Sequence, residues 1–133
     1  MSAFVADTHA VIWYILDQKS LSKTARASFD RAAKSGQAVY VSAISLVEIH
    51  YLVEKGRLTA TFIDRLEAAL ADEDAVLVAI PVTFEIAHDV SRIPRAEVPD
   101  MPDRIIAATA LHLGVPLITR DRQIHASSIE TIW

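Results

Sequence analysis

The sequence predicts an α/β fold in which a mainly parallel sheet is covered by helices on both faces. Short β-branched, apolar runs alternate with helical segments of roughly ten residues, the pattern of βαβ units. Glycine or proline closes several of these segments, at Gly36, Gly56, Pro81 and Gly114. The chain of 133 residues carries no repeat, low-complexity tract or linker and reads as one domain over residues 1–133.

Taken in order, Ala3–Ala6 is a brief buried strand running into Asp7, and Ala10–Leu16 is a short apolar helix. Ser22–Ser35 is a helix with Ser22 as N-cap and Gly36 as its stop. Ala38–Val41 is a second strand, and Ile44–Lys55 is a helix apolar nearly all round. Thr59–Asp72 is amphipathic, with Phe62, Ile63, Leu66 and Leu70 on one side. A third strand, Ala75–Ile80, precedes a helix over Thr83–Val90 and an irregular, proline-rich loop over Ser91–Met101. A small-residue helix, Asp103–Leu113, leads to a fourth strand, Pro116–Ile118, a short segment over 122–127 and a fifth strand, Ile129–Ile132.

Composition narrows the function. Hydrophobic residues make up 52% of the chain and charged residues 23%, enough apolar material for a core, with a surplus that reads either as surface covered by a partner or a second copy or as a generous core. Without cysteine there is no disulfide, zinc-thiolate or thiol chemistry. The start, MSAFVADTHAVIW, lacks a basic segment and its apolar run is broken by Asp7, so it does not read as a signal peptide, and no window is long and apolar enough to span a membrane. A cytoplasmic protein is expected. The net charge of −4 runs against the basic character common in nucleic-acid binders. Acids that serve as metal ligands would reconcile the two, because bound cations change the local sign.

Four acids punctuate apolar segments. Asp7 and Asp121 each follow a strand directly, where ligands gather in open α/β sheets; each is also placed to cap the segment after it. Glu48 lies among Leu46, Val47, Ile49 and Leu52, with two readings: a metal ligand, since an ionised carboxylate there is costly unless paired, or half of a capping box with Ser45. Asp103 opens a helix, where the dipole favours it, and Asp100 and Asp103 have the spacing of a capping pair. Clustered carboxylates repel and raise one another's pKa unless a cation is present. An all-oxygen set selects Mg²⁺ or Mn²⁺, and such a site suits phosphodiester hydrolysis.

The segments VADTHAVIW, SAISLVEIHYL, PDMPDRIIAATAL and PLITRD, in this order, resemble the four signature segments of the PIN-domain family, and within it the VapC toxins of bacterial toxin–antitoxin pairs. The third segment places its proline differently from many relatives but keeps the spacing of its two acids. The resemblance implies a three-layer α/β/α sandwich with about five mainly parallel strands. It implies a Mg²⁺- or Mn²⁺-dependent endoribonuclease, hydrolysing RNA by metal-activated water, homodimeric and held by a cognate antitoxin. It places Asp7, Glu48, Asp103 and Asp121 as catalytic metal ligands, with Asp100 an additional acid. Thr8 and Thr119 match polar residues that flank the acids, and they join Arg104, Arg120 and Arg122 as candidate RNA or phosphate contacts. Arg92 and Arg95 have weaker grounds for RNA contact, and His9 is the one histidine placed near the site. Trp13, Tyr14, Tyr51 and Phe62 read as core, some of them as antitoxin contacts by the likeness. The rivals are a housekeeping PIN nuclease of RNA processing, a non-catalytic RNA- or protein-binding module, and an α/β domain whose acids are simply helix caps.

Overall fold

β1 (Phe4–Ala6) is buried at all three positions, the signature of a strand covered on both faces. It is the centre of a sheet of five parallel strands in the order β3-β2-β1-β4-β5. The other strands are β2 (Val39–Ser42), β3 (Leu77–Ile80), β4 (Leu117–Ile118) and β5 (Thr131–Ile132). This computed structural model describes residues 3–72, 74, 76–125, 127 and 129–133. Ala75, the first residue of the expected third strand, and Ala126 in the 122–127 segment lie outside them.

Among the described residues, seven helices connect the strands: α1 (Thr8–Ile15), α2 (Lys23–Ser35), α3 (Ala43–Glu54), α4 (Ala60–Ala71), α5 (Phe84–Asp89), α6 (Met101–Leu113) and α7 (Arg122–His125). Adjacent side chains on β1 enter opposite cores. Phe4 and Ala6 join Val11, Phe29, Phe62 and Leu66 on the α1, α2 and α4 side. Val5 joins Ile86, Ile106, Ala107 and Ile124 on the side of α5, α6 and α7. The result is the three-layer α/β/α arrangement. Phe29 anchors α2 to the rest, meeting Phe4 edge-on at 5.2 Å and Tyr14 face-on at 4.1 Å between ring centroids.

Local chemistry sets the boundaries. Ser22 accepts a hydrogen bond from the Ala25 amide to start α2, and Gly36 ends it with φ of +68°, a conformation that costs a side-chain-bearing residue energy. α3 begins at Ala43 because Ser42 caps it through the Ile44 amide. The Ser45–Glu48 capping box is therefore not formed; Ser45 and Glu48 stand inside the helix. α6 begins at Met101, two residues before the start expected at Asp103, because Asp100 is its cap, accepting from the Asp103 amide at 3.2 Å. Part of the proline-rich loop is also ordered: Val90–Arg92 forms a 3-10 turn continuing α5.

Candidate active site

The strand order places a crevice at the carboxyl ends of β1 and β4, where the connections leave β1 towards β2 on one side while β4 lies on the other. This is the switch point at which open α/β sheets bind ligands. A cavity of about 420 Å³ opens there, lined by Asp7, Thr8, His9, Trp13, Glu48, Asp100, Asp103, Arg120 and Asp121. All five carboxylates singled out from the sequence thus face one space.

Asp7 directly follows β1, its amide donating to the Ile118 carbonyl at 3.0 Å. Its Oδ1 then caps α1 by accepting from the Ala10 amide at 2.9 Å. Cap and cavity wall are the same side chain. Burial pushes the Asp7 carboxyl above the usual range and Asp121 adds to that, while the Thr119 hydroxyl, the Ala10 amide and His9 oppose it.

Glu48 projects from α3, and its Oε1 accepts from the Thr8 hydroxyl at 2.5 Å. Thr8 Oγ1 also lies 3.0 Å from Ser45 Oγ, and both hydroxyl residues are buried. The pair holds the Glu48 carboxylate at the cavity wall. Ser45 had no signal in the sequence beyond its position one turn before Glu48.

Asp103 sits in the first turn of α6, brought to the strand ends by Ala107, Ala108 and Ala110, which are small enough to pack the helix closely. Its carboxyl is pushed up to about 7. Burial is the largest cause; the charges of Asp100, Asp121 and Glu48 and a hydrogen bond to Asp121 add to it. Asp121 ends the β4 connection. Its amide donates to Thr119 Oγ1 at 3.0 Å and its Oδ1 accepts from the Gln123 amide at 2.8 Å. His125 fastens this segment, with Nε2 2.5 Å from the Thr119 carbonyl and Nδ1 2.8 Å from Thr131 Oγ1.

Among the described residues, no lysine or arginine lies within ion-pair range of these five acids. Nor does any group of three or more acids or histidines draw together as a ready metal cluster. Asp7, Glu48, Asp100 and Asp121 each accept from a local donor, while the Asp103 carboxyl meets Asp121.

The basic candidates separate. Arg120 is exposed on the cavity rim, its guanidinium 4.7 Å from the Trp13 ring centroid. Arg104 turns away and donates to the carbonyls of Ile93 and Val90 at 2.8–3.1 Å, closing the 3-10 turn. Arg122 is exposed on α7 and is not among the cavity residues. Arg92 meets Asp89 at 3.9 Å, and Arg95 is exposed. Thr8 and Thr119 are buried and serve the acids directly. Trp13, read from the sequence as core, is half-buried and reaches the cavity.

The PIN-domain family model matches residues 4–128. Ribonuclease VapC22 of Mycobacterium tuberculosis is 27% identical over 128 residues, which span 95% of this chain and 92% of that protein. The crystal structure of VapBC2 from Rickettsia felis, bound to a DNA fragment from their promoter, superposes with a TM-score of 0.72 at 17% identity, over 97% of this chain and 96% of that one. FitAcB from Neisseria gonorrhoeae superposes at 0.66 with 21% identity, covering 96% and 95% of the two chains. A toxin–antitoxin complex from Klebsiella pneumoniae does so at 0.62 with 19% identity, covering 98% and 96%. These likenesses agree with the parallel five-stranded α/β/α fold.

Proposed function

The chain belongs to the PIN-domain family, and from that premise we propose that it is a divalent-metal-dependent endoribonuclease, the toxin of a toxin–antitoxin pair. The observation that carries this reading is the convergence of Asp7, Glu48, Asp103 and Asp121, from four separate elements, on one cavity at the carboxyl edge of the sheet. The name of the relative VapC22 supports ribonuclease activity, and the Klebsiella toxin–antitoxin complex supports an antitoxin partner.

The donor set fits a hard cation. It is all oxygen, and the Asp7 and Asp103 carboxyls are pushed up first by burial and then by neighbouring carboxylates, a setting that a bound cation would relieve. Asp7, Glu48, Asp103 and Asp121, with Asp100 beside them, would hold Mg²⁺ or Mn²⁺. The chemistry such an ion supplies is positive charge against the developing charge of the scissile phosphate and greater acidity of a nearby water. The chain's own residues do the positioning. Thr8 and Ser45 fix Glu48, the Ala10 amide and Thr119 fix Asp7, and Asp100 starts the turn that presents Asp103. Attack by water in line with the departing ribose oxygen needs no covalent enzyme intermediate.

Apolar side chains left outside the core, including Val47, Tyr51, Phe84 and Met101, support a homodimer as well as an antitoxin surface. The place of action is the cytoplasm, where the RNA is. The test is cleavage of total RNA by antitoxin-free protein in Mg²⁺, Mn²⁺ or EDTA, beside an Asp7→Asn control. Discrete fragments that need metal and vanish in the control are expected. Intact RNA in every metal, from protein shown to be folded, overturns the proposal.

A further inference from the structure

One wall of the acidic cavity is neither acidic nor required by hydrolysis. Trp13 and His9 stand four residues apart on α1, hence on one face of that helix, with ring centroids 5.5 Å apart. Trp13 meets Trp133 edge-on at 5.9 Å, a contact that helps hold the indole in place. Arg120 lies over the Trp13 ring at 4.7 Å. His9, Trp13 and Arg120 all line the same cavity as the carboxylates.

Arg120 is next to Asp121 in sequence and shares a cavity with five acids, yet it stacks on an indole instead of pairing with a carboxylate. A stacked guanidinium is a flat, weakly hydrated cation whose in-plane N–H groups still point outward. Aromatic rings beside a planar cation are the surface on which an unpaired base stacks, and the same cation meets the phosphate next to that base. Trp13 stands six residues beyond Asp7, about 9 Å along α1. The backbone of the stacking wall is therefore offset from Asp7 along the helix, leaving the carboxylate side of the cavity to the scissile phosphate.

We infer that Trp13, with Arg120 on its face and His9 beside it, is a nucleobase-stacking subsite that flanks the scissile phosphate and selects RNA presented as an unpaired strand or loop. The inference rests on the ribonuclease reading for its substrate, and it makes Trp13 and Arg120 substrate-positioning residues. Base-paired RNA is excluded because its bases are already stacked and their faces are closed to the indole.

The experiment reads binding, so it stands apart from cleavage. In an Asp103→Asn background, the affinity for a short fluorescent single-stranded oligoribonucleotide is measured by anisotropy in Mg²⁺ buffer, with the same strand annealed to its complement as competitor. Trp13→Leu is expected to weaken binding about tenfold or more, the scale of one lost base stack. Trp13→Phe should restore most of it. Arg120→Lys, which keeps the charge and loses the plane, should weaken it several-fold, and the duplex should compete poorly. Adding Trp133→Phe leaves Trp13 as the only tryptophan of the chain's two, and unlabelled oligonucleotide should quench its emission. Unchanged affinity in folded Trp13→Leu, binding without quenching, duplex binding as tight as the single strand, or no binding by the parent each overturns the inference. If the strand binds and quenches as expected but wild-type protein cuts no RNA, the subsite stands and the nuclease reading fails.

Discussion

Replacing Asp103 by Asn should stabilise the metal-free protein, and the size of the gain is set by what surrounds that carboxyl. Its pKa rises from 3.8 in the unfolded chain to about 7 in the fold. Between these values the folded state binds more protons than the unfolded state. Wild-type stability therefore falls as pH rises from about 4 to about 7, and the loss is complete above that window. Taken whole, the interval corresponds to about 4 kcal/mol. The carboxyl is only half-buried, and solvent screening reduces the expected penalty to about 1–2 kcal/mol. Asparagine has no charge to desolvate or to repel Asp100, Asp121 and Glu48. At pH 8 in EDTA, Asp103→Asn should melt roughly 3–8 °C above wild type, and near pH 4 the two should melt together. Thermal unfolding followed by circular dichroism from pH 4 to 8 tests this. Saturating Mn²⁺ should then raise wild type more than the variant, since binding to the folded state alone adds stability. A variant less stable than wild type at pH 8, or an advantage that does not change with pH, would refute the electrostatic account of the site.

Three further outcomes follow from the hydrogen bonds and backbone of the fold. Thr8→Val removes the hydroxyl that holds Glu48 at 2.5 Å and should lower RNA cleavage about tenfold or more while costing about 1 kcal/mol of stability; unchanged turnover in single-turnover assays would show that Glu48 needs no such support. Arg104→Ala leaves the Ile93 and Val90 carbonyls without their donor and should lower the urea midpoint by about 1–3 kcal/mol equivalent, with oligonucleotide affinity in Mg²⁺ unchanged; a loss of affinity at full stability would restore it as an RNA contact. Gly114→Ala meets no atom within 4 Å but places a side chain at φ of +68°, so about 1 kcal/mol should be lost through backbone strain alone, read from the same denaturation curves.

Much of the fold was legible because its signals are local. Every expected strand and helix is present, since β-branched runs, serine caps and glycine stops act within a few residues. The early starts of α3 and α6 have one cause: a cap wins over the apolar pattern that follows it. Ser42 drew α3 back to Ala43, and Asp100 drew α6 back to Met101. The candidate acids were legible from their positions at strand ends and on an apolar helix, and all of them line the cavity. Direction was not legible. Arg104 and Arg120 each adjoin a site acid in sequence, yet one turns to backbone carbonyls and the other to an indole. The helical phase at a cap and the partners across space decide that, and neither is written in a neighbouring residue. Trp13 shares the difficulty, because its apolar face belongs to the core and its other side to the cavity.

The double duty of Asp7, a strand end and helix cap that also faces the cavity, bears on how such a protein loses its chemistry. Asparagine caps a helix about as well as aspartate, so it keeps the architecture and discards the charge. Aspartate and asparagine codons differ by a single base. If the proposed function holds, one nucleotide change would therefore silence this chain without unfolding it. The same fold could thus persist with or without its charge, because the cap and the carboxylate are separable properties of one side chain.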